Sequence, residues 1–230
     1  MKIIRVNVKY DYSEAVAAAL DVLSHGGVIV YPTDTIYGLG ANACDYKAAE
    51  QIFKIKQRPA RKPLPIIVRN LAWARAVAYL PPKLEKLLAQ LWPGPVTAIL
   101  AKRPVIPPVV SAGGTTVGVR VPDLAFTDQL LGKFGYPLTA TSANLSGEEG
   151  SGNIQAVLAD FRGQLWKPDL VIDAGILPKS LPSTVLDLST VQPKILRVGP
   201  TKPEFLMKLL GATYAKTQNP KRGSPPAKSN

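Results

Sequence analysis

Gly26-Gly27-Val28-Ile29-Val30-Tyr31-Pro32-Thr33-Asp34-Thr35-Ile36-Tyr37-Gly38-Leu39-Gly40-Ala41-Asn42-Ala43 is the stretch around which the chain is arranged. Residues 28–31 form a β-branched and aromatic run that reads as a buried strand. Pro32 has no N–H to give a sheet ladder and stops it. A hydroxyl-rich crook, residues 33–37, follows at the strand exit, where loops carry chemistry. Gly38, Gly40 and Ala43 then keep the backbone bare ahead of a helix expected to begin near Asp45. A strand, a polar crook, small residues and a helix N-terminus together make a place to hold an anion. The same glycines would also serve a plain turn, and the motif by itself leaves both readings open.

Gly38-x-Gly40-x-x-Ala43 formally matches the dinucleotide fingerprint, which wants an acid roughly 20 residues onward for the ribose. Residues 54–62 downstream carry no acid, and Gly38 lies seven residues past Tyr31, too far for a tight turn off the strand. A Rossmann site is therefore disfavoured. P-loop, G-x-S-x-G and S-x-x-K signatures are absent from the sequence. Cys44 is the single cysteine and His25 the single histidine, which removes a disulfide framework and argues against structural zinc. His25 reads as a helix C-terminal residue and Cys44 as a packing residue, so no covalent nucleophile or catalytic side chain is expected.

Outward from its centre the chain alternates helix and strand signals. Helices are expected at 13–25, capped by Ser13 and ended by Gly26-Gly27, and from Asp45 to Pro59. Further helices are expected after Asn70, after Pro81-Pro82, and at 126–134, 153–161 and 204–210. Strands are expected near the N-terminus and at 64–68, 96–100, 117–121, 137–141, 170–172, 185–188 and 195–198. This alternation predicts an α/β fold, one domain over residues 1–212 with a large mixed sheet flanked by helices. Residues 213–230 are basic and rich in Pro, Ser and Asn, and are expected to be a disordered tail. No apolar run approaches the roughly 20 residues that span a bilayer, and the N-terminus is too short in apolar residues for a signal peptide. A soluble cytoplasmic protein is the expectation.

Charge is the more informative quantity. Lys and Arg outnumber Asp and Glu by 28 to 16, and residues 51–83 hold eight basic side chains and no acid. Such clustering favours a groove for a nucleotide triphosphate or a nucleic acid over a merely solvated face. Polar islands at 33–37, 56–62, 115–120, 141–144, 183–184 and Arg197 each fall near a predicted strand end, and in an α/β sheet such ends converge on one pocket.

The runs VIVYPTDTIYGLGANA, KIKQRPARKPL, LWPGPVT, TTVGVRVP, ATSANLSG, PSTVLDL and ILRVG occur in that order. Together they resemble the YrdC-like family, the L-threonylcarbamoyladenylate synthases, over roughly residues 12–199. The resemblance implies a twisted mixed α/β fold with a basic concave surface. It implies a nucleotidyltransfer reaction in which L-threonine, bicarbonate and ATP give threonylcarbamoyl-AMP and pyrophosphate. The adenylate would pass to a transferase complex that modifies tRNA. By motif match, Lys56, Arg58, Lys62, Thr116, Ser142, Asn144 and Arg197 would meet ATP, while Thr35, Arg120 and Ser183 would meet threonine. Mg²⁺ would ride with ATP rather than in a protein cage. Two places depart from the family pattern: Asp123-Leu124-Ala125, where a histidine is common, and Glu148-Glu149-Gly150-Ser151-Gly152, where Ser151 would stand for the usual hydroxyl. The chain resembles the short form without an extra C-terminal domain. Direct contact with tRNA stays open, as does an RNA-binding module without adenylate chemistry; the lack of an aromatic residue in 54–62 favours the enzyme.

Overall fold

β2 (Ile29–Tyr31) lies at the middle of a five-stranded sheet and is buried along its whole length. Its alternation divides the interior. Val28 and Val30 point into a large core, whereas Ile29 and Tyr31 point into a second, smaller one, as the period of two requires. In the computed structural model, which describes residues 1–214 apart from Lys9, the sheet has the order β1 (Lys2–Arg5), β9 (Leu170–Asp173), β2, β3 (Gly38–Gly40), β8 (Thr141–Ser142). β9 runs parallel to both β1 and β2, while β3 is antiparallel to β2 and to β8.

A six-stranded sheet stands against it, with the order β11 (Lys194–Arg197), β10 (Thr184–Asp187), β5 (Val96–Ala101), β6 (Thr116–Arg120), β4 (Ile66–Ile67), β7 (Leu138–Thr139). Parallel pairs (β10 with β5, β4 with β6) mix with antiparallel ones (β10 with β11, β5 with β6, β4 with β7). The mixed α/β class is as the sequence implies; the strands, however, divide between two sheets. The division falls where one extended strand was expected over 137–141. That run breaks at Ala140, giving β7 to one sheet and β8 to the other. Twist accumulates across strands, and open sheets beyond about ten strands curl or split. The halves stay stitched, since Thr139 N–H donates to Ala41 O and Ala43 N–H to Pro137 O.

Helices cover both faces. α1 (Ser13–Ser24) and α5 (Ala125–Phe134) close the smaller core, Ala15, Val16 and Ala19 meeting Phe126 and Leu130. α2 (Tyr46–Lys56) buries Ala48, Ile52 and Ile55 in the larger one, with Asp45 accepting from the N–H groups of Lys47 and Ala48 as its N-cap. α3 (Leu71–Val77) is capped by Asn70, and α6 (Ile154–Phe161) by Asn153. α4 (Pro82–Leu88) packs on α7 (Pro203–Tyr214). Ser13 is not the cap expected of it: the helix begins at Ser13, and Asp11 Oδ1 takes its N–H at 2.9 Å. Gly26 does end α1, at φ +76°, a left-handed residue that glycine adopts without strain. α2 ends at Lys56, before Pro59, on a left-handed Gln57. α7 takes in the first two residues of the tail expected from 213, and the rest of that expectation, residues 215–230, lies outside the described residues.

Gly38 and Gly40 form neither a turn nor a helix approach; they are strand β3, opposite β2. A Cβ on Gly38 would sit 2.8 Å from the Tyr31 ring, and one on Gly40 2.6 Å from it. The glycines leave room for an aromatic lying flat across the pair, whose hydroxyl donates to Thr139 O at 3.0 Å. Gly40→Ala should therefore cost about 1–3 kcal/mol by overpacking. In urea denaturation, Tyr31→Leu should recover part of that loss in the double variant. A Gly40→Ala protein as stable as the parent would sever the link between glycine and ring.

Candidate active site

Between the sheets lies a pocket of about 450 Å³, within the range of small-molecule sites. Its walls come from the crook after β2 (Thr33, Thr35), from β5 and β6 (Thr97, Thr116, Arg120), from the 140–142 crossover, and from residues 182–185 with Arg197 of β11. Pro65, Ile67, Ile99, Val117 and Val185 give it an apolar floor.

Arg120 ends β6 and is buried, its side chain 8% exposed. Its Nη2 meets Asp34 Oδ1 at 2.6 Å, its Nη1 donates to Thr35 Oγ1 at 3.0 Å, and its Nε donates to Gly94 O at 3.0 Å. A guanidinium has five N–H groups, so two remain for a ligand. Thr33 folds the crook: its hydroxyl donates to Ile36 O at 2.7 Å and accepts from Thr35 N–H at 3.1 Å. Arg197 donates from Nε to Ser183 O and from Nη2 to Ser183 Oγ, and Ser183 Oγ lies 2.8 Å from Thr97 Oγ1. Burial, then the charge of Arg120, lowers the Arg197 guanidinium from its usual value. Arg58, half-buried on the opposite wall, is lowered by burial and is held by Lys62 O and Pro63 O. Three cations facing one hollow repel one another, and an anion between them relieves that repulsion.

Of the residues named by motif, Thr35, Arg58, Thr116, Arg120, Ser142, Ser183 and Arg197 line this pocket. Lys56, Lys62 and Asn144 do not. Lys56 is 1% exposed beneath the turn after β8, where Nζ donates to Ser142 O and Asn144 O at 2.6 Å and to Asn144 Oδ1 at 3.2 Å. Asn144 spends its amide on Leu145 O and Glu148 O. Lys62 is exposed, and its carbonyl rather than its ammonium reaches the site, as the acceptor for Arg58. Lys56 and Asn144 thus hold the turn behind the wall.

Asp34 and Glu148, within the polar island 33–37 and the departing segment 148–152, and Thr97 were not among the residues named for the site. Asp34 is legible in hindsight as the acid inside a hydroxyl run at a strand exit. Glu148 and Gly150 bring the departing segment 148–152 to the rim, whereas Ser151 Oγ turns away to accept from Asn153 N–H. Asp123, Leu124 and Ala125, the other departure, line a separate hollow beside the Arg69–Asp128 ion pair rather than this pocket. His25 bonds to Asp21 O on the surface, and burial pushes the Cys44 thiol up, away from the reactive thiolate.

Fold and site define a mixed α/β protein with a sheltered, arginine-lined pocket. Residues 21–199 match the Sua5/YciO/YrdC family, described as telomere recombination, and the chain belongs to that family. It is 35% identical over 208 residues to a threonylcarbamoyl-AMP synthase of Pyrococcus abyssi, covering 90% of this chain and 60% of that protein. Over 186 residues it is 32% identical to the threonylcarbamoyl-AMP synthase of Cellvibrio japonicus, covering 80% of this chain and 97% of the relative. The crystal structure of P. abyssi Sua5 complexed with L-threonine superposes with a TM-score of 0.85 at 35% identity, over 92% of this chain and 61% of that one. The chain thus spans about three fifths of the length of its archaeal relative.

Burial and the charge of Arg58 push Lys56 down to about 7 from the usual 10.5. The unfolded chain then holds this proton through a pH range in which the folded one has lost it. Lys56's contribution to stability is full above about 10.5 and declines as pH falls toward 7. The stability difference between parent and Lys56→Met should shift in the parent's favour as pH rises from 7 to 10, followed by urea denaturation. A flat difference would mean that the three acceptors keep the ammonium charged throughout.

Proposed function

We propose that this protein is an L-threonylcarbamoyladenylate synthase, making threonylcarbamoyl-AMP and pyrophosphate from L-threonine, bicarbonate and ATP. One observation carries the reading. Arg58, Arg120 and Arg197, from three separate parts of the chain, meet hydroxyls in one pocket whose described lining holds no cysteine or histidine. The names of the relatives, and the threonine complex of one of them, support it.

The chemistry asks for positioning more than for a nucleophile. The threonine nitrogen takes up the carbon of bicarbonate with loss of water, giving a carbamate. A carbamate oxygen then attacks the α-phosphorus of ATP, and the bond to the β-phosphate oxygen breaks to release pyrophosphate. Arg58 and Arg197 bind phosphate oxygens and offset the charge that develops on them, with Thr116 and Ser142 alongside. The two unspent N–H groups of Arg120 take the threonine carboxylate, with Thr35 and Ser183 orienting the amino acid. The apolar floor excludes water from the adenylate. A Mg²⁺ ion bound with the triphosphate would supply charge neutralisation, and Glu148 is the carboxylate among the described lining residues that would meet it.

With this reading go a cytoplasmic location and delivery of the adenylate to a tRNA-modifying transferase. The pocket does not suit RNA, because bases stack on exposed aromatics and its two tyrosines, Tyr31 and Tyr37, are fully buried.

Pyrophosphate release should require threonine and bicarbonate together, measured with each substrate left out in turn in carbonate-depleted buffer. Release indifferent to bicarbonate would sink the reading. Arg58→Ala should raise the KM for ATP by roughly 10- to 150-fold, the loss of a charged phosphate contact worth about 1.5–3 kcal/mol. Unchanged ATP kinetics would remove Arg58 from the site.

A further inference from the structure

The catalytic scheme gives threonine and ATP their binding groups and leaves bicarbonate without one. Thr97 of β5 is a buried pocket hydroxyl that the scheme does not use. Its side chain has little choice of rotamer. A Cβ added to Gly118, on the neighbouring strand β6, would come within 3.2 Å of the Thr97 methyl, which therefore lies over bare backbone. The hydroxyl turns to Ser183, with 2.8 Å between the two Oγ atoms. The hydrogens of this pair do not balance. Arg197 Nη2 donates to Ser183 Oγ at 3.2 Å and, as a guanidinium, accepts nothing in return. Each hydroxyl carries one hydrogen, and the contact between them consumes one of the two. Among the described residues neither hydroxyl has a further partner. One O–H is thus unspent on a pair of residues only 6% and 7% exposed, and a buried donor without an acceptor is costly. A hydroxyl that accepts from a cation donates more strongly. The polarised order therefore runs from Arg197 to Ser183 to Thr97, with the Thr97 O–H at its end.

We propose that Thr97 is a further substrate-binding residue, its O–H donating to an oxygen of bicarbonate and then of the carbamate formed from it. The proposal rests on the synthase reading. In that reading Thr35, Arg120 and Ser183 hold threonine, while Arg58 and Arg197 hold phosphate oxygens. The carbamate joins the threonine nitrogen to the α-phosphorus, so it lies between those two sets. Thr97 bonds to Ser183 of the first set and reaches Arg197 of the second through it. Bicarbonate is an anion, and a donor backed by a guanidinium suits it. As the nitrogen adds to the bicarbonate carbon and water leaves, the negative charge stays on the oxygens of that carbon. The same O–H serves both species.

The test is steady-state pyrophosphate release by the full chain, with bicarbonate, threonine and ATP varied one at a time from carbonate-depleted buffer. Thr97→Val keeps the shape and loses the hydroxyl. It should raise the KM for bicarbonate by roughly 10- to 150-fold, the range for a lost hydrogen bond to a charged group. The KM values for threonine and ATP should stay within about twofold of the parent, because their own contacts are intact. Thr97→Ala should show the same selectivity, and Thr97→Ser, which keeps the donor, should restore most of the bicarbonate affinity. An unchanged bicarbonate KM in Thr97→Val and Thr97→Ala would overturn the proposal and leave the synthase reading standing, with the free hydrogen on Ser183. An equal rise in all three KM values would also overturn it, reducing Thr97 to packing. So would a rise confined to ATP, which would give the hydroxyl to a phosphate oxygen. A parent protein whose release ignores bicarbonate would instead bring down the synthase reading, and this proposal with it.

Discussion

The Arg120–Asp34 ion pair is the constraint on which the rest of the site depends. It joins the last residue of β6, in one sheet, to the crook after β2, in the other, at 2.6 Å with both side chains nearly out of water. Taking two charges out of water costs several kcal/mol per ion, so such a pair adds little net stability over apolar residues of like size. What it supplies is an arrangement. With Arg120 fixed by Asp34, Thr35 and the carbonyl of Gly94, the crook, the end of β6 and the turn into β5 have one way to meet. Thr33 then folds the crook back on itself, and Thr35 is held where a ligand would lie.

The same logic extends to the other cations. Arg58 and Arg197 are each held by backbone carbonyls before any ligand arrives, Arg58 by those of Lys62 and Pro63 and Arg197 by that of Ser183. Their ordering entropy is spent in folding rather than in binding, which is how a pocket becomes pre-organised for developing charge. Lys56 performs a related service from below: its amino group gathers Ser142 and Asn144 into the turn that ends one wall.

Much of this was legible in the sequence and some was not. Strands and helices with plain periodicity or caps, such as β2, β9 and α2 with its Asp45 cap, lie where residue patterns put them, because each is decided by local burial. Seven of the ten residues named by motif line the pocket. The three that do not line it differ in cause: Lys56 is drawn to acceptors some 86–88 residues away, the Asn144 amide is spent on the turn it sits in, and Lys62 is exposed. The glycine strand β3 was hidden because its reason is the ring of Tyr31 across the sheet, and pairing partners are not written in a single segment. The break at Ala140 was hidden for the same reason: an extended run reads alike whether it serves one sheet or two.

That break has a mechanical meaning. β7 and β8 are consecutive lengths of one peptide, separated by Ala140, whose N–H is fixed to Pro65 O. Covalent bonds do not stretch, so the halves of the protein cannot glide past each other along this seam without tearing the hydrogen bonds on both its sides. The register of the two sheets is therefore written into the chain itself at this seam, while the angle at which they meet is set across the cleft by the Arg120–Asp34 pair.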